Sequence, residues 1–475
     1  MITEHLRVAQ SSVDIGDPHI CSDSINRNSL IRAIYEPLII RTGPGTFSST
    51  LAKDWAIEPD GLTWSFRIRQ GVTFHNGDVL SSKDVVSSLK RIIDPFLGGA
   101  YGTQGVYSSY IGRARFEAPK DDVVRIVTSE PIADLLDLLS EMSIGPRDEL
   151  DKIPDEYIGT GQYLIGSKHR GELLLERNRD YWGRMAYSDE VRFIEVPESK
   201  ARSEMVLDRE VDIGALIEYS DTRIHENSHR SFIKSLKSSL CIIFLINMLE
   251  GPCRDRRVRQ ALNYGLDVDS IVREVKVGAA TPLNGYLTPH HFGYNPETNP
   301  YPYNPEKAES LLNESGYVEG LKLTVDIPTS MPDEAPQLGE IMKEQYSKIG
   351  INIDLEFYRD RPAYAEMVRE KRINDLCCFD SSPLSTFRVL REKIHSRHRG
   401  SWWQGYNNAE VNRLIDQAQS TFDDNRRKIL YKKIFQIIRD DAPWIFLYRP
   451  TFYWAVSNKM DNWKPFTNGL LRLTD

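Results

Sequence analysis

"LKLTVDIP" at Leu321–Pro328, "APQLGEIMKEQYSKIG" at 335–350 and "INIDLEFY" at Ile351–Tyr358 set the fold class of this chain. The outer two read as strands and the middle one as a helix, and a strand–helix–strand alternation implies a mixed α/β lobe. Upstream, "DRRVRQALNYGLDVDSIVREV" from Asp255 places Val258, Ala261, Leu262, Leu266 and Ile271 at helical spacing. Residues 305–316 form a further helix, with Pro305 at an early position and Gly316 closing it. Downstream, helices are expected around 408–421 and 424–440, followed by the strand "WIFLYRP". A change of texture near 247–253 separates two α/β halves, and the strand-rich tail "FYWAVSNK" is free to return to the first.

The first half opens on a strand, "HLRVAQ", and a helix, "NSLIRAIYEPL", with Asn28 or Ser29 as its cap and Glu36-Pro37 as its stop. "WSFRIRQGVTFHNGDVLSS" reads as a β-hairpin: Trp64, Phe66 and Ile68 alternate with polar residues, and Val72 and Phe74 follow a turn at Gly71. Asp60-Gly61 and Asn76-Gly77 supply further turn residues. An amphipathic helix from Ser82 carries Val85, Leu89 and Ile92, and strands are expected at 123–127 and 173–176. "MVLDREVDIGAL" is a helix ending in a short strand, and Tyr181 and Trp182 are expected to pack beneath a sheet.

With 475 residues the chain is too long for one ordinary core. Hydrophobic residues at 40% and charged residues at 27% are typical of globular proteins. A formal charge of −8 argues against nucleic acid as a partner, because phosphates require a basic surface. "MITEHLRVAQSS" has no apolar signal-peptide core, so the expectation is a cytosolic chain or a mature form whose signal has been removed. The five cysteines lack C-x2-C spacing, and Cys377 and Cys378 read as small hydrophobes in a buried strand.

Seven collinear blocks resemble the extracytoplasmic solute-binding proteins, family 5, of oligopeptide, dipeptide, nickel and opine-type ABC importers. They are "YEPLI" at Tyr35, "LAKDWAIEPDGLTWSFRIRQGVTFHNGDVLSSKDVVSSLKRI" from Leu51, and "GTGQYLI" with "LLLERNRDYWG" from Gly159. "RRVRQALNYGLDVDSIV" from Arg256, "GYNPETNPYPYNPEKAESLLNESGY" from Gly293, "GYNNAEVNRLIDQA" from Gly405 and "DDAPWIFLYRP" from Asp440 complete the set. The resemblance implies the two-lobed α/β periplasmic-binding-protein fold, type II, of the large cluster with an extra subdomain in the first lobe. The first lobe would take residues 1–247 plus 450–475, with 41–165 as the subdomain, and the second 248–449. It also implies a monomeric, non-enzymatic receptor in the periplasm or otherwise outside the cytoplasmic membrane. Such a receptor captures a small solute in the interlobe cleft by hinge closure and passes it to a membrane permease.

Two other readings compete. His225-Glu226-Asn227-Ser228-His229 spells the zinc-peptidase string H-E-x-x-H, which works only on a helix that brings both histidines to one face. Its flanks are polar and lack helical periodicity, so a solvated loop is expected instead. His290-His291 are weighed as metal ligands but read as part of a structural connection, and the pair His395 and His398 in "HSRHRG" keeps a nickel-chelate binding protein of the same fold as an alternative. No phosphate-binding loop, nucleophile elbow or dinucleotide fingerprint occurs, so no catalytic residue, resident metal or cofactor is expected.

For the ligand, Tyr101, Tyr107 and Tyr110 on a glycine-rich loop offer stacking and hydroxyl groups. The resemblance adds Asn247 on a crossing strand. "LCCFDSSPLSTFRVLREKIHSRHRGSWWQGY" contributes Asp380 as a partner for an amine. It also offers Ser382 in an expected helix cap at 381–383, and Arg388 and Arg391 on one helix face for a carboxylate or phosphate. Trp402 and Trp403 offer a stacking wall. Peptide-binding members of the family carry a tryptophan beside this aspartate, and this chain does not. A zwitterionic or anionic solute fits that departure: a short peptide, an opine or an amino-acid–sugar conjugate.

Overall fold

The computed structural model describes residues 5–99, 103–186 and 188–473. Two compact units emerge. One holds the described residues up to Gly98, Thr103–Leu236 and those from Phe452 onward; the other holds Lys237–Thr451. The strand Trp444–Ser457 therefore begins in one unit and ends in the other.

In the first unit, the strand His5–Gln10 pairs in parallel with Glu190–Glu195 on one side and with Ile213–Ile217 on the other. Glu172–Arg177 and Tyr163–His169 extend the sheet antiparallel past Glu190–Glu195. At its other edge Val456 and Ala455 pair with Ile213 and Gly214, so the tail does return to the first half. The helix Ile25–Ile34 lays Leu30, Ile31 and Ile34 against Val8, Phe193 and Trp454 in one core. Its cap is Ser24, whose Oγ accepts from Arg27 N, not Asn28 or Ser29. The helix starts one turn earlier than its apolar stripe suggests. Ser29 Oγ is thereby left to donate back to Ile25 O inside the helix.

A separate antiparallel sheet runs in the order Ala52–Ile57, Thr63–Ile68, Val123–Val127, Arg115–Lys120. The hairpin thus turns at Asp60-Gly61 and pairs Trp55 with Phe66, whereas residues 72–74 form no strand with 63–68. Asp60 accounts for the difference: its carboxylate accepts from Leu62 N, Thr63 N and Thr63 Oγ1 and closes the earlier turn. The helix Ser82–Ile92 buries Val85, Leu89 and Ile92 as its spacing predicts. Tyr181 and Trp182 are half-buried. Their hydroxyl and Nε1 donate to the buried Glu36 carboxylate at 2.7 and 2.8 Å, and Thr160 Oγ1 adds a third bond at 2.8 Å. Burial holds the Glu36 pKa above its ordinary value even against these three donors. Three sequence-distant motifs meet at this one carboxylate.

In the second unit the sheet runs Ile351–Tyr358, Leu321–Pro328, Leu376–Ser381, Cys241–Ile246, Trp444–Ser457. The first three strands are parallel and the next two antiparallel. The helix Ala335–Ser347 packs Leu338, Met342 and Tyr346 on one face with Phe244, Val325 and Cys378. The helices Arg361–Arg369 and Thr386–Lys393 pack Tyr364, Val368, Val389 and Leu390 on the other with Ile243, Cys377 and Phe379. Adjacent Cys377 and Cys378 thus enter opposite cores, as strand alternation requires, and both are buried thiols. No helix among the described residues is long and apolar enough to cross a membrane.

Candidate functional site

The connection after Leu321–Pro328 leaves the sheet on the face of Ala335–Ser347, and that after Leu376–Ser381 leaves on the face of Thr386–Lys393. Two adjacent parallel strands whose connections part to opposite faces define a switch point, and open α/β sheets bind ligands outside the carboxyl ends of such strands. Their ladder is short, with only Val325 and Asp326 paired to Leu376 and Cys377. Beyond it the Tyr364 hydroxyl fills the gap, 2.7 Å from Cys378 O and 3.1 Å from Asp326 O. Burial raises the Asp326 pKa, while Asn374 N and Nδ2 hold its carboxylate at 2.8 and 2.7 Å.

Of the residues singled out from the sequence, Asp380 and Ser382 lie at this edge, whereas Asn247 follows Ile246, which pairs with Leu376 at the opposite end of the strand. Asp380 and Ser382 flank Ser381, the last strand residue, with Asp380 half-buried. Ser382 is not in the helix cap. That role falls to Ser385, whose Oγ accepts from Arg388 N, because Pro383 and Leu384 are spent on the turn before the helix. Arg388 and Arg391 are both buried on Thr386–Lys393, and Arg388 Nε donates to Glu392 Oε1 at 3.1 Å. A long run of buried residues on a charged helix is paired chemistry, not a solvated face.

Trp402 packs on Phe379 with ring centroids 4.9 Å apart, and its backbone N donates to Glu392 O. Trp403 Nε1 donates to Tyr406 O, and Gln404 O accepts from Met248 N, which ties the tryptophan segment to Asn247. The Asn247 amide is engaged by the chain: Nδ2 donates to Ile373 O and Oδ1 accepts from Leu249 N. Tyr107 and Tyr110 are buried on the helix Val106–Ile111 of the first unit, while Tyr101 lies outside the described residues.

The peptidase string is built for packing. His225 ends a 3-10 helix at Tyr219–His225, with Ser203 Oγ at 2.8 Å from Nε2 and Ser231 Oγ at 2.6 Å from Nδ1. Both ring nitrogens are occupied, and Glu226 and His229 are exposed. His290 Nε2 meets Lys237 O and His291 Nε2 meets Pro383 O.

His395, His398 and Asp416 bring ligand-type atoms within 4.8 Å of one another. His395 Nδ1 accepts from Arg397 N, which puts the ring proton on Nε2, where it is donated to Asp416 Oδ1 at 3.0 Å. Arg397 also pairs with Asp416. With its lone pair and its proton both committed, His395 has nothing to offer a cation, and the group reads as a neutralised carboxylate.

Sequence reasoning passed over Arg361. It is the first residue of Arg361–Arg369, behind the cap Asp360, whose carboxylate accepts from Ala363 N. An arginine in the first turn opposes the helix dipole, and that misplaced charge was the available signal.

A model of the bacterial extracellular solute-binding proteins, family 5, middle portion, matches residues 46–375. The chain belongs to this family. A family 5 relative, the glutathione-binding protein GsiB of Pectobacterium atrosepticum, is 24% identical over 97% of this chain and 91% of its own. Two solved structures share the fold. One is the periplasmic binding protein DppA of Helicobacter pylori in complex with peptide STSA, with a TM-score of 0.81 at 23% identity over 99% of this chain and 96% of that one. The other is AgaA of A. tumefaciens R10 in complex with agropinic acid, with a TM-score of 0.81 at 21% identity over 99% and 96%. The two-lobed periplasmic-binding-protein architecture expected from the sequence is therefore the fold of this family 5 chain.

Proposed function

We propose that this chain is the solute receptor of an ABC importer. In this reading it is a non-enzymatic monomer working outside the cytoplasmic membrane, and it hands its solute to a membrane permease. The solute is peptide-like, anionic or zwitterionic: a short peptide, an opine or an amino-acid–sugar conjugate. Capture proceeds by hinge closure, with the chain crossing between lobes near Asn247 and near Arg449-Pro450. The family match over 46–375 carries this reading. Relatives named for glutathione, a peptide and agropinic acid support the solute class.

Asp380 and Ser382 at the strand end, the arginines 388 and 391, the aromatic pair 402 and 403, and Asn247 are the side chains assigned to the solute in the second unit. Tyr107 is assigned to it from the first unit, and Tyr101, outside the described residues, is assigned to it from the sequence alone. Native mass spectrometry of the purified protein, followed by thermal unfolding with the solute so identified, tests the proposal. A solute at a hundred times its dissociation constant should stabilise the chain by about 2.7 kcal/mol. A chemically altered product, or no solute from a broad screen of peptides, opines and metal chelates, counts against it.

A further inference from the structure

We propose that Arg361 and Ser381 form a subsite for a carboxylate group on a small solute with an apolar flank. This inference rests on the receptor reading above and narrows its solute class.

Arg361 is only 8% exposed. Its Nε donates to Met331 O at 3.2 Å, and its guanidinium carbon sits 5.5 and 5.4 Å from the ring centroids of Tyr364 and Phe379. Those contacts fix the plane of the fork and use one of its nitrogens. Nη1 is buried and has no hydrogen-bond partner among the described residues, and no carboxylate there pairs with this guanidinium. Asp360, the neighbouring acid, spends its carboxylate on Ala363 N. Ser381 is 1% exposed, and its Oγ likewise has no partner among the described residues. Phe379 and Ser381 alternate onto the same face of their strand, the face against which Arg361–Arg369 packs. Two buried donors without acceptors therefore lie on one side of the carboxyl end of Leu376–Ser381, at the switch point where such sheets bind ligands.

The chemistry selects the ligand. A buried guanidinium is costly unless an anion meets it, and its remaining N–H edge suits a planar carboxylate, with the serine hydroxyl as a further donor. Arg361 also stands at a helix N-terminus, whose dipole adds to the same positive potential. Met331, the residue whose carbonyl holds Arg361, is 53% exposed. Its side chain gives the subsite an apolar rim.

The test uses the full chain with three probes: benzoate, the dipeptide Ala-Phe and its C-terminal amide, read by thermal shift and calorimetry. Benzoate and the free dipeptide should bind at millimolar concentration or better. The amide should bind about tenfold or more weakly, the weight of one charge-assisted bond. Arg361→Gln should abolish that preference, Arg361→Lys should keep part of it, and Ser381→Ala should weaken the acids alone. Without probe, Arg361→Gln should melt no lower than the wild type, whereas a merely structural arginine would lower the melting temperature.

Equal binding of acid and amide, failure of both carboxylate probes on the wild type, or an unchanged preference in Arg361→Gln overturns the subsite. A co-purified solute bound equally by wild type and Arg361→Gln also overturns it and leaves the receptor reading intact. The absence of any solute in purification and screening tells against the receptor reading itself.

Discussion

Acidification should destabilise the first unit through one buried ring. His19 is 1% exposed, and its two ring nitrogens make no well-formed hydrogen bond among the described residues. Beside it Arg91 pairs with Asp17 through contacts of 3.0 and 2.6 Å, and Asp17 Oδ1 also accepts from His19 N. Burial, and next the Arg91 charge, push the His19 pKa down to about 4 from 6.5, with Asp17 opposing them. The folded-state value lies below the unfolded one, so the unfolded chain takes up the proton first. Stability is intact above pH 6.5 and is lost progressively as pH falls toward 4. The full gap corresponds to about 3.4 kcal/mol, and at a pH of about 5 the loss from this ring is about 2 kcal/mol.

Urea unfolding of wild type and His19→Leu at pH of about 7.5 and about 5 isolates this contribution, because other titrating groups cancel in the difference. At the higher pH the variant should match or exceed the wild type, since the ring has no well-formed hydrogen bond among the described residues to lose. At the lower pH it should lead by about 2 kcal/mol. Parallel pH profiles for the two proteins, or a ring that titrates near its ordinary value by NMR, would refute the reasoning.

Tyr181→Phe removes one of three donors to the buried Glu36 carboxylate and should cost about 2 kcal/mol in chemical unfolding, as a bond to a charged group does. A loss under about 0.5 kcal/mol would show that the node is not shared in this way. His225→Ala strands the hydroxyls of Ser203 and Ser231 and should lower stability by about 1–3 kcal/mol, with no change in zinc content by elemental analysis. Stoichiometric zinc lost with that substitution would revive the peptidase string.

The split between what the residues announce and what they conceal follows the range of the interactions. The helices Ser82–Ile92 and Pro305–Glu314 are legible because apolar spacing, caps and terminal glycines act within a turn or two. The hairpin partner of Thr63–Ile68 is not. Two turns compete within twenty residues, and only the Asp60 carboxylate bonds decide which one closes. Ser382 and Ser385 are equally good caps by type, and packing of the Thr386–Lys393 helix selects Ser385. The aspartate, arginines and tryptophans of 380–403 announce themselves by residue type in one segment. Arg361 stays silent because its meaning depends on a loop residue, Met331, on Tyr364 of its own helix, and on Phe379 and Ser381 of a strand later in the chain.

By itself the sequence determined the α/β class, the order of the elements and the family, since these rest on local periodicity and on blocks of residues kept in order. Only the tertiary structure decided which polar groups are satisfied. It closed the nitrogens of His225 against two serines, committed His395 to Asp416, and left Arg361 Nη1 and Ser381 Oγ buried without a hydrogen-bond partner among the described residues. A hydrogen bond is a relation between atoms in space, and chain order does not carry it.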